Sequence, residues 1–99
     1  MNRKTVALSF AINDNDCPNI DALERSYASA SFHAAGPEYS RDQITIEANR
    51  SGLLALATWM VALADSDSKL DHQHFDNEVG MGFFQSEGNV ELIIQRVGK

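Results

Sequence analysis

The chain has 99 residues and an acidic composition, with 14 aspartates and glutamates against 8 lysines and arginines and a net charge of −6. This length predicts a single domain covering residues 1–99, and 43% hydrophobic with 22% charged residues excludes a disordered chain. Nucleic-acid binding is not expected, because phosphate backbones are bound by clustered lysines and arginines. The negative charge suits a basic protein partner instead.

The first residues predict a strand rather than a targeting segment. Two basic residues are followed by only a short apolar stretch without a small-residue cleavage site, which differs from a signal peptide. Residues 5–12 alternate between apolar and small or polar side chains, with Val6, Leu8, Phe10 and Ile12 on one face. The single cysteine, Cys17, excludes an internal disulfide and indicates a reducing, cytoplasmic location. No neighbour in sequence would activate it as a nucleophile.

Residues 13–19 are polar and rich in turn formers. Asp14 and Asp16 have the spacing of calcium-loop ligands, but Pro18 stands where the next ligand should be. We therefore predict a turn here and no calcium site.

Residues 20–35 combine helical spacing at the start with alternation over 27–34, which a short helix leading into a strand would satisfy. A clearer strand is predicted over 43–48, with Ile44, Ile46 and Ala48 facing inward.

A helix is predicted over residues 50–65, which are rich in leucine and alanine. It is shorter than the ~20 apolar residues that cross a membrane, and Asn49 or Ser51 could cap its start. One side of this helix is expected to face the core: Leu53, Leu56, Met60, Leu63 and Ala64, with Trp59 beside them. The small residues Ala55, Thr58 and Ala62 lie on the remaining strip, where another segment or a second subunit of a homodimer could pack.

Residues 70–77 contain two of the three histidines. If the segment is extended, His72, His74 and Asp76 lie on one face, where two imidazoles and a carboxylate could bind zinc or iron. The ligand set is incomplete, since a structural zinc site needs four ligands and His33 lies in an ambiguous segment. The alternative to a metal site is that both histidines are ordinary polar residues on a partly exposed strand and bind no ligand. No metal, cofactor or catalytic residue is therefore assigned.

Two further segments complete the chain. Residues 80–84 place Met81, Phe83 and Phe84 between or after glycines, which suits either a core-facing loop or an apolar contact surface. Residues 90–97 predict a strand with apolar residues on both faces, which is typical of a central position in a sheet. A turn at 87–89 precedes it.

The order of these features resembles the immunity protein 32 family. A strand leads through Gly52 and Leu53 into the helix, then come the His72-x-His74 segment with Asp76, and a final Glu-Leu-Ile-Ile strand. The resemblance covers roughly residues 44–97, and the first forty residues have no counterpart in it. Members are small bacterial proteins encoded beside polymorphic toxins.

The resemblance implies an inhibitor that binds a cognate toxin and occludes it, with no enzymatic activity, no nucleic-acid ligand and no membrane association. The residues expected to contact the toxin are Asp71, His72, His74, Asp76, Asn77, Met81, Phe83 and Phe84. A small metal-binding protein or metalloenzyme using His72, His74 and Asp76 is the alternative. The fold class we expect is α+β: an antiparallel sheet of about four to six strands with one main helix, residues 50–65, packed on one face.

Overall fold

The computed structural model describes residues 1–19, 25–76, 83–86 and 90–98. These residues form one helix and five strands, which confirms the α+β class. The elements in chain order are β1 (Ala28–His33), β2 (Gln43–Ala48), α1 (Arg50–Ala64), β3 (His72–Phe75), β4 (Phe84–Ser86) and β5 (Leu92–Gln95).

The strands lie in two sheets instead of the single sheet that was expected. A three-stranded sheet has the order β2-β1-β4, and a two-stranded sheet pairs β3 with β5. The β1–β2 and β3–β5 pairs are antiparallel, whereas β1 and β4 run parallel with Ala28 opposite Phe84. The strands predicted over 27–34 and 43–48 are confirmed as β1 and β2.

The start of α1 is fixed to the three-stranded sheet by one side chain. Asn49 Oδ1 accepts hydrogen bonds from the backbone N–H groups of Gly52, at 2.8 Å, and of Tyr27, at 3.0 Å. Its Nδ2 donates to the Arg25 carbonyl at 2.7 Å. Asn49 is thus the N-cap, one of the two residues expected. A Cβ at Gly52 would lie 1.9 Å from the Tyr27 carbonyl oxygen, so only glycine allows this approach.

The end of α1 is fixed to the two-stranded sheet by Arg96. Its Nη1 donates to the carbonyl oxygens of Leu63, at 2.8 Å, and Asp65, at 2.9 Å. These carbonyls have no partner within the helix, and a cation suits the negative end of the helix dipole. The backbone N–H of Arg96 donates to the Asp71 carbonyl at 2.7 Å. The helix therefore connects both sheets.

The core lies between α1 and the two sheets, and aromatic rings occupy its centre. Phe75 is fully buried, with ring centroids 5.8 Å from Trp59, 5.6 Å from Phe84 and 6.4 Å from Phe83. Such ring pairs add about 0.5–1.5 kcal/mol each beyond their buried area. Small residues of β1 and α1 complete the core: Ala28, Ala30 and Ala55.

The predicted inward face of α1 was partly wrong. Leu56, Leu63 and Trp59 are buried as expected, but Leu53 is 55% and Met60 46% exposed, and Ala64 is exposed too. The small strip is buried instead: Ala55, Thr58 and Ala62. Other segments of the same chain therefore cover the strip, which is the first of the two alternatives expected for it. It is not available for packing a second helix.

The predicted inward positions of Ile44 and Ile46 were also wrong, since these side chains are 74% and 40% exposed. Both side chains lie on the same face of the sheet as Ala28 and Ala48. The core covers this face near the Ala28–Ala48 pair but leaves the part around Ile44 exposed. The last strand is shorter than predicted, and within the described residues β5 pairs only with β3. It is therefore not central, and its apolar residues on both faces leave Ile93 48% exposed.

The strand predicted over residues 5–12 is absent. Residues 1–11 belong to no strand, and Ile12 forms only an isolated bridge with Pro18. The turn over 13–19 is confirmed: Asn13 Oδ1 accepts from the N–H groups of Asn15, at 2.9 Å, and Cys17, at 3.0 Å. The helix expected after residue 20 and the turn at 87–89 lie outside the described residues. In the described part of the chain, no helix has the length and apolar character needed to span a membrane.

Candidate functional site

The histidine segment forms β3, and its two imidazoles lie on the outer face of the two-stranded sheet. The register pairs His72 with Gln95 and His74 with Ile93. Alternation directs Gln73 and Phe75 to the other face, where Phe75 is buried in the core. The sequence-based expectation that His72 and His74 share a face is confirmed. Their ring centroids are 5.3 Å apart.

Each imidazole is paired with a carboxylate through its Nδ1 atom. His72 Nδ1 lies 2.7 Å from Asp71 Oδ1, and the two side chains are 49% and 67% exposed. His74 Nδ1 pairs with Glu91 Oε1, which reaches across from the start of β5, and these side chains are also nearly half exposed. Pairs this exposed contribute little to stability. They do fix the orientation of the rings, since the two side chains of each pair restrain one another.

The pairing also determines what this face offers to another molecule. An ionised carboxylate only accepts hydrogen bonds, so Nδ1 must carry the proton that each pair shares. In a neutral imidazole the other ring nitrogen, Nε2, is then an acceptor. We call Asp71, His72, His74 and Glu91 the imidazole–carboxylate face. When both imidazoles are neutral, the carboxylate oxygens and the Nε2 atoms of this face are hydrogen-bond acceptors. Acceptors of this kind suit a partner surface that is rich in lysine and arginine.

Asp71 shows the electrostatic effect of the pairing. The hydrogen bond from His72 holds the pKa of the Asp71 carboxyl below its ordinary value of 3.8. The charges of His72 and Arg96 act in the same direction, while partial desolvation opposes them. Asp71 therefore remains ionised over a wider pH range than a free aspartate.

The remaining expected contact residues separate into three groups. Asp76 directly follows β3 and is half-buried. Asn77 and Met81 lie outside the described residues. Phe83 and Phe84 are only 5% and 4% exposed and belong to the aromatic core, as the core-facing interpretation expected. Their burial makes them unavailable as anchors for a partner in this fold.

A metal centre finds little support among the residues that the structure describes. No group of three or more histidine, cysteine, aspartate or glutamate side chains there has the arrangement to hold an ion. Asp76, the expected third ligand, lies one residue beyond the end of the strand. The carboxylate pairing of Nδ1 does resemble the outer-shell support of metal-bound histidines. Two imidazoles alone would be an incomplete ligand set.

Sequence reasoning missed one residue of this face, Glu91, and its neighbour Ile93. Glu91 pairs with His74 from a distance of 17 residues in the chain, and Ile93 is half exposed beside the same ring. Arg96 was not singled out from the sequence, although it fixes both α1 and the backbone of Asp71. A prediction that β3 and β5 pair in this register would have found the first two.

Residues 43–97 match the protein-family model described as immunity protein 32. No curated protein and no solved structure matches the chain. The matched segment begins with β2 and contains α1, β3, β4 and β5, together with Asn49, Arg96 and the imidazole–carboxylate face. It covers more than half of the chain and agrees with the resemblance seen in the sequence. The chain therefore belongs to the immunity protein 32 family.

Proposed function

We propose that this protein neutralises a cognate bacterial toxin by binding it and occluding its surface, with no chemistry of its own. Membership of an immunity protein family is the observation that carries the proposal. The protein acts in the bacterial cytoplasm, where a toxin-producing cell or its neighbours need protection. The partner is a protein, and no nucleic acid, membrane or cofactor takes part.

The imidazole–carboxylate face is the proposed contact surface. Its side chains are about half exposed, and their paired geometry limits the entropy lost when a partner orders them. Ile93, 48% exposed beside His74, adds apolar area to a polar rim. Asp76, Asn77 and Met81 follow β3 in sequence. We retain these three as contacts.

The chemistry of the face favours a basic toxin surface. Two carboxylates and two Nε2 acceptors would receive hydrogen bonds from lysine and arginine side chains. The net charge of −6 would also accelerate association with a positively charged partner. A nuclease is one class of toxin with such a surface, because nucleases bind phosphate backbones.

Two experiments with the toxin encoded beside this protein's gene test the proposal: one measures protection of cells, and the other measures binding. Cells that express the toxin should survive when this protein is co-expressed, and the two proteins should co-purify. Absence of both effects would overturn the proposed function. Toxin activity should be lost in the complex without any covalent change to the toxin, which mass spectrometry would establish.

A charge-matched pair of variants tests the proposed surface separately. Glu91→Lys and Glu38→Lys both change the net charge from −6 to −4, but Glu38 lies in the exposed segment between β1 and β2. We expect Glu91→Lys to weaken toxin binding about tenfold or more, as for loss of a hot-spot contact. Glu38→Lys should leave binding nearly unchanged. Equal effects of both variants would show that the surface lies elsewhere while the proposed function stands.

A further inference from the structure

The N-terminal arm, which we define as residues 5–12, is an amphipathic segment that forms no strand and exposes most of its apolar side chains, although Phe10 is half-buried and Ile12 bridges Pro18. Val6 is 74%, Leu8 37% and Ile12 54% exposed. Its alternation is that of a half-buried strand, with apolar side chains on one face and small or polar ones on the other. An exposed segment of this kind requires a neighbouring strand to bury its apolar face and pair its backbone.

The three-stranded sheet ends in a strand of matching character. β2 is the outermost strand of that sheet, so one of its edges is unpaired within the described part of the chain. Ile44 and Ile46 are exposed on one face of β2, next to Phe32, which is 51% exposed on the paired strand. The opposite face of β2 carries Thr45 and Glu47. An apolar patch thus lies directly beside an open edge.

We propose that the arm adds to the β2 edge of a second copy of this chain as an antiparallel strand. A register with Val6 opposite Ile46 and Leu8 opposite Ile44 would put apolar side chains together on one face. The other face would then pair Ala7 with Thr45 and Thr5 with Glu47. Arg3 would lie diagonally from Glu47, within reach of an ion pair. The reverse, parallel direction would place Arg3 opposite Arg41, which like charges disfavour.

The second copy, and not the same chain, supplies the edge because of where the arm is anchored. The Ala11 carbonyl accepts from the Asn19 N–H at 2.9 Å, and Asp16 Oδ2 accepts from the Lys69 N–H at 2.8 Å. Lys69 lies between the end of α1 and Asp71, whose carbonyl binds the Arg96 that caps α1. The base of the arm is therefore at the C-terminal end of the helix.

The β2 edge of the same chain lies at the other end of α1. β2 leads directly into the helix start through Asn49, and α1 is about 22 Å long at its rise of 1.5 Å per residue. The proposed register also needs residue 8 beside Ile44, at the end of β2 that α1 leaves uncovered. Four residues separate Leu8 from Ile12, which span about 13 Å at most. Two chains exchanging arms satisfy the register in both directions and close a symmetric dimer.

Disulfide trapping tests the contact and its direction in full-length chains carrying Cys17→Ser. Chains with Thr5→Cys are mixed with chains carrying Glu47→Cys, so that a mixed disulfide can form only between copies. We expect a covalent dimer under mild oxidation, because opposed residues in a ladder have the Cα separation of a disulfide. The matched control, Ser9→Cys mixed with Glu47→Cys, should form little, since antiparallel pairing keeps these positions apart. Trapping in the control alone would overturn the proposed direction.

Light scattering tests the dimer without cysteine substitutions. The unmodified chain should show twice the monomer mass in the upper micromolar range, and Ala7→Pro should shift it to the monomer. Proline removes a ladder hydrogen bond, and Ala7 lies outside any element of the monomer fold. Asn2→Pro, just outside the paired residues, should remain dimeric. The proposal would be overturned if the unmodified chain were monomeric, or if it were a dimer that Ala7→Pro left unaffected. An intramolecular disulfide in a chain carrying both Thr5→Cys and Glu47→Cys would also overturn it.

Discussion

The N-terminal arm and β3 were both predicted to be extended segments with two distinct faces, but they have opposite outcomes in the monomer. In the β3–β5 sheet, alternation directs Phe75 into the core and His74 outward, and each strand has a partner. In the arm, Val6 and Leu8 lie on one predicted face and stay exposed. The comparison shows that alternation specifies which face of a strand would be buried. Whether a strand forms depends on a neighbour that the local sequence does not reveal.

The largest expected effect separates the two regions by stability. Phe75→Ala should reduce the free energy of unfolding by about 3–5 kcal/mol, because it removes the fully buried ring that contacts Trp59, Phe83 and Phe84. Val6→Ala in the arm should change it by no more than about 0.5 kcal/mol in the monomer. Urea unfolding at low protein concentration measures both. Similar losses would mean that the arm packs on the body of its own chain.

Gly52 offers a second comparison, between a tightly packed and an open glycine. Gly52→Ala should cost about 1–3 kcal/mol or more, because its Cβ would lie 1.9 Å from the Tyr27 carbonyl oxygen. That loss should exceed the ~1 kcal/mol by which alanine favours a helix over glycine. Gly36→Ala is the control, since nothing lies within 4 Å of its added Cβ. Thermal unfolding of the two variants should differ clearly. Equal midpoints would contradict the close approach of the start of α1 to the Tyr27 carbonyl.

Arg96 tests whether the helix end is held by charge and hydrogen bonds. Arg96→Met keeps most of the side-chain length but removes two hydrogen bonds to the carbonyls of Leu63 and Asp65. We expect a loss of about 1–3 kcal/mol, as for hydrogen bonds from a charged donor. Arg3→Met, near the arm, should have almost no effect in the monomer. Hydrogen exchange should show faster opening of the last turn of α1 in Arg96→Met only.

The smallest expected effect is the pH dependence contributed by Asp71. Because its pKa in the folded state is below 3.8, its ionised form stabilises the fold above that pH. This contribution is lost as the pH falls from 3.8 through the lower pKa of the folded state. In His72→Ala, the Asp71 pKa should rise toward 3.8, which NMR titration of the carboxyl carbon would measure. An unchanged titration would show that the Asp71–His72 hydrogen bond does not form in solution.

Much of the family-matching part could be predicted from the sequence. The helix, its cap at Asn49, the strand over 43–48 and the shared face of His72 and His74 all follow from periodicity and local propensity. These features depend on residues close together in the chain. The site was only half predicted, because Glu91 reaches His74 through a strand pairing across 17 residues.

The wrong predictions of buried residues in α1 and β2 share a physical cause. Whether a face of a helix or strand is buried depends on which other segment packs against it. Leu53 and Met60 are more apolar than Ala55 and Thr58, yet the small residues face the core. Close packing in a core favours small side chains where elements approach one another, and hydrophobicity alone does not predict which positions these are. Ile44 and Ile46 likewise lie beyond the part of the sheet that the helix covers.

By itself, the sequence determined the family and most of its elements: a strand, a helix rich in leucine and alanine, a His-x-His strand and a final strand, in the order of an immunity protein. Their local patterns are complete within a few residues, so no tertiary contact is needed to recognise them. Only the tertiary structure decided which helix face is buried, that the strands divide into two sheets, and that carboxylates orient both imidazoles. These outcomes depend on contacts between segments far apart in the chain, because pairing and packing require a partner surface that no local pattern contains.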